Sequence, residues 1–239
     1  MYLYGMAEGL EEQLERPAGV EGLSFEDRLA LLVEKEYSYR RDRRVARLLR
    51  EARLRQSACM EDIDYRAPRG LDRGLMQGLG QGDWIERHQD VLVSGPTGVG
   101  KTWISCALGN AACRLGRSVR YARVPRLLEE IRVAQGDGSY GRMMTQLSRV
   151  DVLILDDFGL APLSAVEGRL LLEVVDDRSE RRSTIVASQL PLEEWHGVMV
   201  DATVADAILD RWVHRAHRVT LQGDSLRRQG ASGNGEGAQ

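Results

Sequence analysis

Eight consecutive residues, Gly95-Pro96-Thr97-Gly98-Val99-Gly100-Lys101-Thr102, place glycines, a lysine and a hydroxyl at the spacing of a phosphate-binding loop. Their setting gives the pattern its force. The apolar Val91-Leu92-Val93 before them reads as a strand, and the residues from Lys101 onward read as a helix. Glycines let backbone amides turn inward around phosphates, and the helix N-terminus adds its positive end. Lys101 is placed to neutralise the β- and γ-phosphates of a nucleotide, and Thr102 to offer its hydroxyl to Mg²⁺.

Such a loop calls for a second element, a buried strand ending in an acid that reaches the metal. Val152-Leu153-Ile154-Leu155-Asp156-Asp157 fits, because four apolar residues suit a central strand whose C-terminal end faces the ligand crevice. Asp156 is expected to hold Mg²⁺ through water and Asp157 to polarise the attacking water; a purely structural use of both acids is the alternative. Gln189 leaves the strand Thr184-Ile185-Val186-Ala187-Ser188 and could orient water against the γ-phosphate, although a polar residue leaving a strand is common. Arg211, just before the last strand, could project to a neighbouring subunit's γ-phosphate as an arginine finger, with Arg215 and Arg182 as substitutes. A salt bridge to Asp210 or Asp206 is the plainer alternative.

To hold these groups together the chain must alternate strand and helix. Strands are expected near 90–94, 118–122, 151–156, 184–188 and 217–221, with helices near 101–115, 125–135, 165–180 and 203–215. This is an α/β pattern with a five-stranded parallel sheet covered on both faces. Residues 1–65 read as a helical N-terminal domain that binds DNA or a partner, 66–89 as a linker with short helical pieces, 90–222 as the nucleotide-binding domain, and 223–239 as a disordered, glycine-rich tail.

The formal net charge of −3 hides a local asymmetry: residues 1–34 carry eight acids and two arginines, whereas residues 35–58 carry nine bases and three acids. Leu29, Leu32, Val33, Tyr37, Val45, Leu48, Leu49 and Ala52 recur at helical intervals, and Ser24 with Asp27 supplies a capping start. Arg40, Arg41, Arg43, Arg44, Arg47 and Arg50, followed by Arg53 and Arg55, decorate this helix or helix pair. They point to phosphate-backbone or acidic-partner contact rather than a plain solvated face, while the preceding acidic segment could dock on them intramolecularly. Of 33 basic residues only Lys35 and Lys101 are lysines; Lys101 has the phosphate loop to explain it and Lys35 has no comparable argument.

The remaining composition excludes several classes. With 43% hydrophobic and 29% charged residues, the chain is neither fibrous nor wholly disordered. It has no apolar run long enough for a membrane span and no signal-peptide core, so a cytoplasmic protein is expected. Cys59, Cys106 and Cys113 are too scattered for a disulfide framework and read as buried thiols, and His214 and His217 lack metal-ligand partners at the right spacing.

From Leu23 to Gly223 the chain resembles the IstB-type ATPases of insertion sequences, relatives of the DnaC helicase loaders and DnaA initiators within the AAA+ class. The resembling segments are the phosphate loop, Leu155-Asp156-Asp157-Phe158-Gly159, Ser183-Thr184-Ile185-Val186-Ala187-Ser188-Gln189-Leu190-Pro191, Glu194-Trp195-His196 and Asp206-Ala207-Ile208-Leu209-Asp210-Arg211. The resemblance implies an AAA+ core without a C-terminal helical lid and Mg²⁺-dependent hydrolysis of ATP to ADP and phosphate. It also implies a homo-oligomer that assembles with ATP on double-stranded DNA and delivers target DNA to the transposase of the same element. It gives Arg132 and Arg142, between the second and third strands, a DNA-facing role; Gly136, Gly138 and Gly141 would make that segment mobile enough to order on a ligand, and they equally fit a plain surface loop. Two departures stand out: Trp103 replaces a smaller or polar residue after the loop, where it should mainly affect helix packing, and the chain opens abruptly at Met1-Tyr2-Leu3-Tyr4, where an upstream turn is expected to be missing.

Three other functions compete. A helicase loader would act on single strands and grip a helicase. A small-metabolite kinase would need lid arginines over a bound acceptor, and no comparable segment follows the acidic strand. A non-catalytic scaffold would leave Lys101, Thr102, Asp156 and Asp157 without a purpose.

Overall fold

The computed structural model describes residues 2–225. Strands β1 (Val91–Ser94), β2 (Val119–Arg123), β3 (Val152–Phe158), β4 (Ser183–Ser188) and β5 (His217–Thr220) form one parallel sheet in the order β2-β3-β4-β1-β5. All five start and stop within two residues of the spans expected from sequence. Nine helices accompany them among the described residues: α1 (Tyr4–Glu15), α2 (Phe25–Ala52), α3 (Arg73–Gln81), α4 (Asp83–Glu86), α5 (Lys101–Arg114), α6 (Val124–Asp137), α7 (Tyr140–Arg149), α8 (Ala165–Arg178) and α9 (Ala202–Val213).

Side-chain parity along the strands divides the core into two layers. Val91, Val93, Val152, Ile154, Ile185 and Ala187 face α5, α3 and the end of α2, whereas Leu92, Leu153, Leu155 and Val186 face α6 to α9. Both faces of the central strands β1, β3 and β4 are thus dry, which is why these strands read as largely apolar runs, whereas the edge strands β2 and β5 carry exposed polar residues. The order places β4 between β1 and β3, so the C-terminal ends of the three strands carrying the expected site lie side by side.

The basic segment is a single helix. Ser24 caps α2 by accepting from the Asp27 amide at 3.1 Å, and the helix stops where Arg53 turns left-handed at φ 51°. Its apolar periodicity does not build a core throughout: Leu48 and Ala52 are buried, but Val33 and Tyr37 are 54% and 67% exposed. Its middle instead holds α1. The buried Glu36 carboxylate accepts from the Gly5 and Met6 amides at 2.8 and 3.1 Å, at the N-terminus of α1, and Arg40 and those amides keep it ionised below the usual carboxylate range. Lys35 donates to Glu12 at 2.6 Å. The acidic segment therefore docks on α2, and Lys35 has a structural role that its sequence context did not suggest.

Two other stretches are more ordered than expected. Residues 66–89 contain the anticipated helical pieces as α3 and α4, but Met76, Leu79, Trp84 and Ile85 are buried against α5 rather than lying in a free linker. Between β2 and β3, the segment around Gly136, Gly138 and Gly141 is a tight turn between helices rather than a mobile loop. Gly138 caps α6 at φ 77°, Ser139 bonds Asp137, and α7 then buries Met144 and Leu147. Of the tail expected at 223–239, residues 226–239 lie outside the described residues. No helix among the described residues is long and apolar enough to cross a membrane.

Candidate nucleotide-binding site

The phosphate loop joins β1 to α5. Gly95 adopts φ 143°, and a side chain there would meet the Leu221 carbonyl at 2.2 Å; Gly98, at φ 89°, lies against Ser225 in the same way. The glycines are therefore required both for the turn and for the chain leaving β5, which crosses the loop. Helix α5 starts at Lys101, and its N-cap Gly100 offers no side-chain cap, so the amides of its first turn remain free to receive an anion.

Around this loop lies a cavity of about 710 Å³, lined by Thr97, Gly98, Gly100, Lys101, Thr102, Asp156, Asp157 and Gln189 among others. That volume suits a small-molecule ligand of nucleotide size. Thr102 Oγ1 donates to Asp156 Oδ2 at 2.8 Å, bringing the hydroxyl and carboxylate expected to serve one cation to the same point. Lys101 is buried, with Nζ donating to the Pro96 carbonyl of its own loop at 2.7 Å. Burial lowers its pKa, against the pull of Asp156 and Asp157. Thr97 donates to Gln189 Oε1 at 2.7 Å, so the amide at the end of β4 meets the loop directly. These uncapped amides, the buried ammonium and the paired oxygens make a donor set that fits a nucleotide triphosphate with its divalent cation.

Asp157 sits at a break in the β3–β4 register between Leu155 and Phe158, with φ 59°, a left-handed conformation that costs a non-glycine residue of order 1 kcal/mol. Phe158 beyond it is locked by Trp195 and Trp212, with ring centroids 4.9 and 5.3 Å away. The strained residue is thus held by the core.

Several cavity residues have no motif to announce them. Tyr121 donates its hydroxyl to Asp156 Oδ2 at 2.7 Å; burial first, and that bond second, raise its pKa. Arg123 Nε lies 2.5 Å from Asp157 Oδ2, and Arg55 Nη1 approaches the same oxygen at 3.7 Å. The period-two alternation of β2 puts Tyr121 and Arg123 on one face, but nothing local shows that β2 lies beside β3. Trp103, expected mainly to pack α5, also lines the cavity.

The other expected site residues lie elsewhere. Arg211 is on α9, salt-bridged to Asp176 of α8 and donating to Ala207 O, so its partner is neither Asp206 nor Asp210. Among the basic-helix residues, Arg40 pairs with Glu36, Arg44 donates to the Gly116 carbonyl at 3.0 Å, Arg47 lies 3.8 Å from Glu51, and Arg43 covers the Tyr39 ring. Arg41 and Arg50 are exposed on the same helix. Arg132, on α6, pairs with Glu129, and Arg142 is on α7. Cys106 and Cys113 are buried on α5, whereas Cys59 is only partly buried.

This strand order, with a phosphate loop after β1 and two acids near the end of β3, is a P-loop nucleotide-binding fold of the AAA+ type. A family model described as IstB-like ATP binding protein matches residues 1–233, and the chain belongs to that family. It is 51% identical over 228 residues to the insertion sequence ATP-binding protein y4pL of Sinorhizobium fredii (strain NBRC 101917 / NGR234), covering 95% of this chain and 93% of the relative. It is 55% identical over 190 residues to the ATP-binding protein of insertion sequence IS1162 from Pseudomonas fluorescens, covering 79% and 82%. Among solved structures, DnaI is similar with a TM-score of 0.59 at 20% identity, covering 74% of this chain and 93% of that one, a likeness of fold.

Proposed function

We propose that this protein is an ATP-dependent, DNA-binding regulator of transposition, which oligomerises on duplex DNA, presents target DNA to the transposase of its element and hydrolyses ATP to ADP and phosphate. The observation that carries the nucleotide half is the convergence of Lys101, Thr102, Asp156 and Gln189 on one cavity. Family membership carries the transposition half.

In this reading, loop amides and Lys101 bind the phosphates, and Thr102 and Asp156 would hold Mg²⁺, which when bound would supply positive charge to offset that of the phosphates. Gln189 orients the attacking water, and Asp157 accepts its proton once free of its arginines. Arg211, released from Asp176, serves as the finger to a neighbour. Arg40, Arg41, Arg43, Arg44, Arg47 and Arg50, with Arg132 and Arg142, contact the DNA backbone; those now paired inside the molecule exchange one partner for another. The likeness to DnaI is one of fold and does not favour a helicase loader.

Imaging the full chain with duplex DNA, Mg²⁺ and a nonhydrolysable ATP analogue tests the assembly. Closed or helical oligomers along the duplex are expected with the analogue and not without nucleotide. A monomer under both conditions contradicts the proposal.

A further inference from the structure

The residues that lead into α1 bring a second kind of chemistry to the basic helix. Tyr2 and Tyr4 stack with ring centroids 5.7 Å apart and planes 22° from parallel, and Tyr4 meets Tyr39 of α2 at 6.2 Å. Arg43 closes the far end of this row, its guanidinium carbon 5.7 Å from the centre of the Tyr39 ring. Arg40 donates to the Tyr2 carbonyl at 3.3 Å and so ties the chain ahead of α1 to α2. Three rings and two guanidiniums therefore form one continuous row, and its open end is Tyr2.

That end is not part of the core. Tyr2 is 80% exposed and Tyr4 52%, and neither belongs to the hydrophobic layers on the sheet. A tyrosine ring left in water beside arginines offers a π-face and positive charge together, the combination that holds a nucleobase and its phosphate. Fully paired duplex has no use for such a face, because its bases are already stacked on one another. A base freed from the stack does. A protein segment held by apolar contact would gain nothing from Arg40 and Arg43, and a second copy of the same patch would set like charges against each other.

We infer that the row of Tyr2, Tyr4 and Tyr39 is a stacking site for an unpaired nucleobase of DNA, with Arg40 and Arg43 beside it for the adjoining phosphate. The base lies on the outer face of the Tyr2 ring and extends the row by one member. The inference deepens the DNA reading of α2 proposed above and rests on it. Arginines further along the helix meet the backbone of paired DNA, whereas the rings select a stretch where pairing is broken.

Fluorescence anisotropy of the full-length protein on two labelled oligonucleotides of equal length and charge decides it, one fully paired and one with a short central bubble of unpaired bases. The parent is expected to bind the bubble about tenfold tighter, the size of one base stacked on an aromatic ring. Tyr2→Leu, which keeps apolar bulk and loses the π-face, should bring the bubble down to the affinity of the paired duplex. Tyr2→Phe should keep the preference, and both variants should leave the Kd for paired duplex within about twofold, as expected of an exposed position. A bubble preference that survives Tyr2→Leu, or is lost in Tyr2→Phe, overturns the inference. So does an equal loss on both oligonucleotides in Tyr2→Leu, since Tyr2 would then support α1 rather than a base. A parent that binds the paired duplex without preferring the bubble overturns the inference alone and leaves the rings to another occupant, such as a protein. A parent that binds neither oligonucleotide overturns the DNA reading with it.

Discussion

Lys101→Ala will lower kcat for ATP hydrolysis at least about a hundredfold while leaving the protein folded. The ammonium is the one lysine charge in the cavity, held on the loop by the Pro96 carbonyl 2.7 Å away. Removing one preorganised charge from a phosphate or oxyanion site costs on the order of 10²- to 10³-fold. A guanidinium would not replace it, because a compact, flexible ammonium fits inside the loop where a planar fork does not. Nothing in the hydrophobic layers rests on this side chain, so thermal unfolding should stay near that of the parent. Nucleotide-driven loading onto DNA should be lost, whereas weak contact between α2 and duplex DNA should survive and fade with salt. Hydrolysis assays and fluorescence anisotropy with labelled duplex check the two arms separately. Simultaneous loss of both would contradict the division between a nucleotide cavity and a basic helix.

The second large effect is on stability. Arg178 closes α8 and is 2% exposed, an unusual burial for an arginine. It donates to the carbonyls of Leu147, Val150 and Ser183 and to the Thr184 hydroxyl, tying α7, the entry to β3 and the start of β4 into one knot. Asp90 lies in the same pocket; burial pushes its carboxyl up to about 7, against the pull of the Thr184 amide and of the Arg178 charge. Arg178→Ala strips buried carbonyls of their donor, opens a cavity and removes the charge that opposes Asp90 protonation. The expected loss is about 3–5 kcal/mol, a large share of the 5–15 kcal/mol that holds an ordinary domain folded. The urea midpoint should fall accordingly, and a loss below about 1 kcal/mol would show that other groups satisfy those carbonyls.

Legibility from sequence followed the range of each interaction. The phosphate loop is eight adjacent residues, and the acid pair ends an apolar run, so both could be read locally. The same holds for β1, β3 and β4, whose burial on both faces leaves largely apolar segments. Gln189 gains its meaning only from β4 lying between β1 and β3, which strand order determines and spacing does not. Tyr121, Arg123 and Arg55 were invisible for a related reason: they reach the acids across a sheet edge and from a helix end far along the chain. Helix α7 was hidden by Gly141 within it and by Gly136 and Gly138 just before it, although the spacing of Met144 and Leu147 carried the signal. On α2, helical periodicity was a sound guide to the helix and a poor guide to burial, because α1 is held largely by Glu36 and Lys35 rather than by the whole apolar stripe. Arg211 illustrates the limit of motif reading: its motif marks the residue, but its partner within the chain, Asp176, lies on another helix.

The central claim is that one molecule couples a nucleotide cavity to duplex DNA. It is tested most directly by the steady-state rate of ATP hydrolysis by the purified full chain with Mg²⁺, with and without duplex DNA, across a salt series. The account predicts a rate that rises on adding DNA, with the increment shrinking as salt screens the arginine contacts. Equal rates with and without duplex at every salt concentration would contradict it.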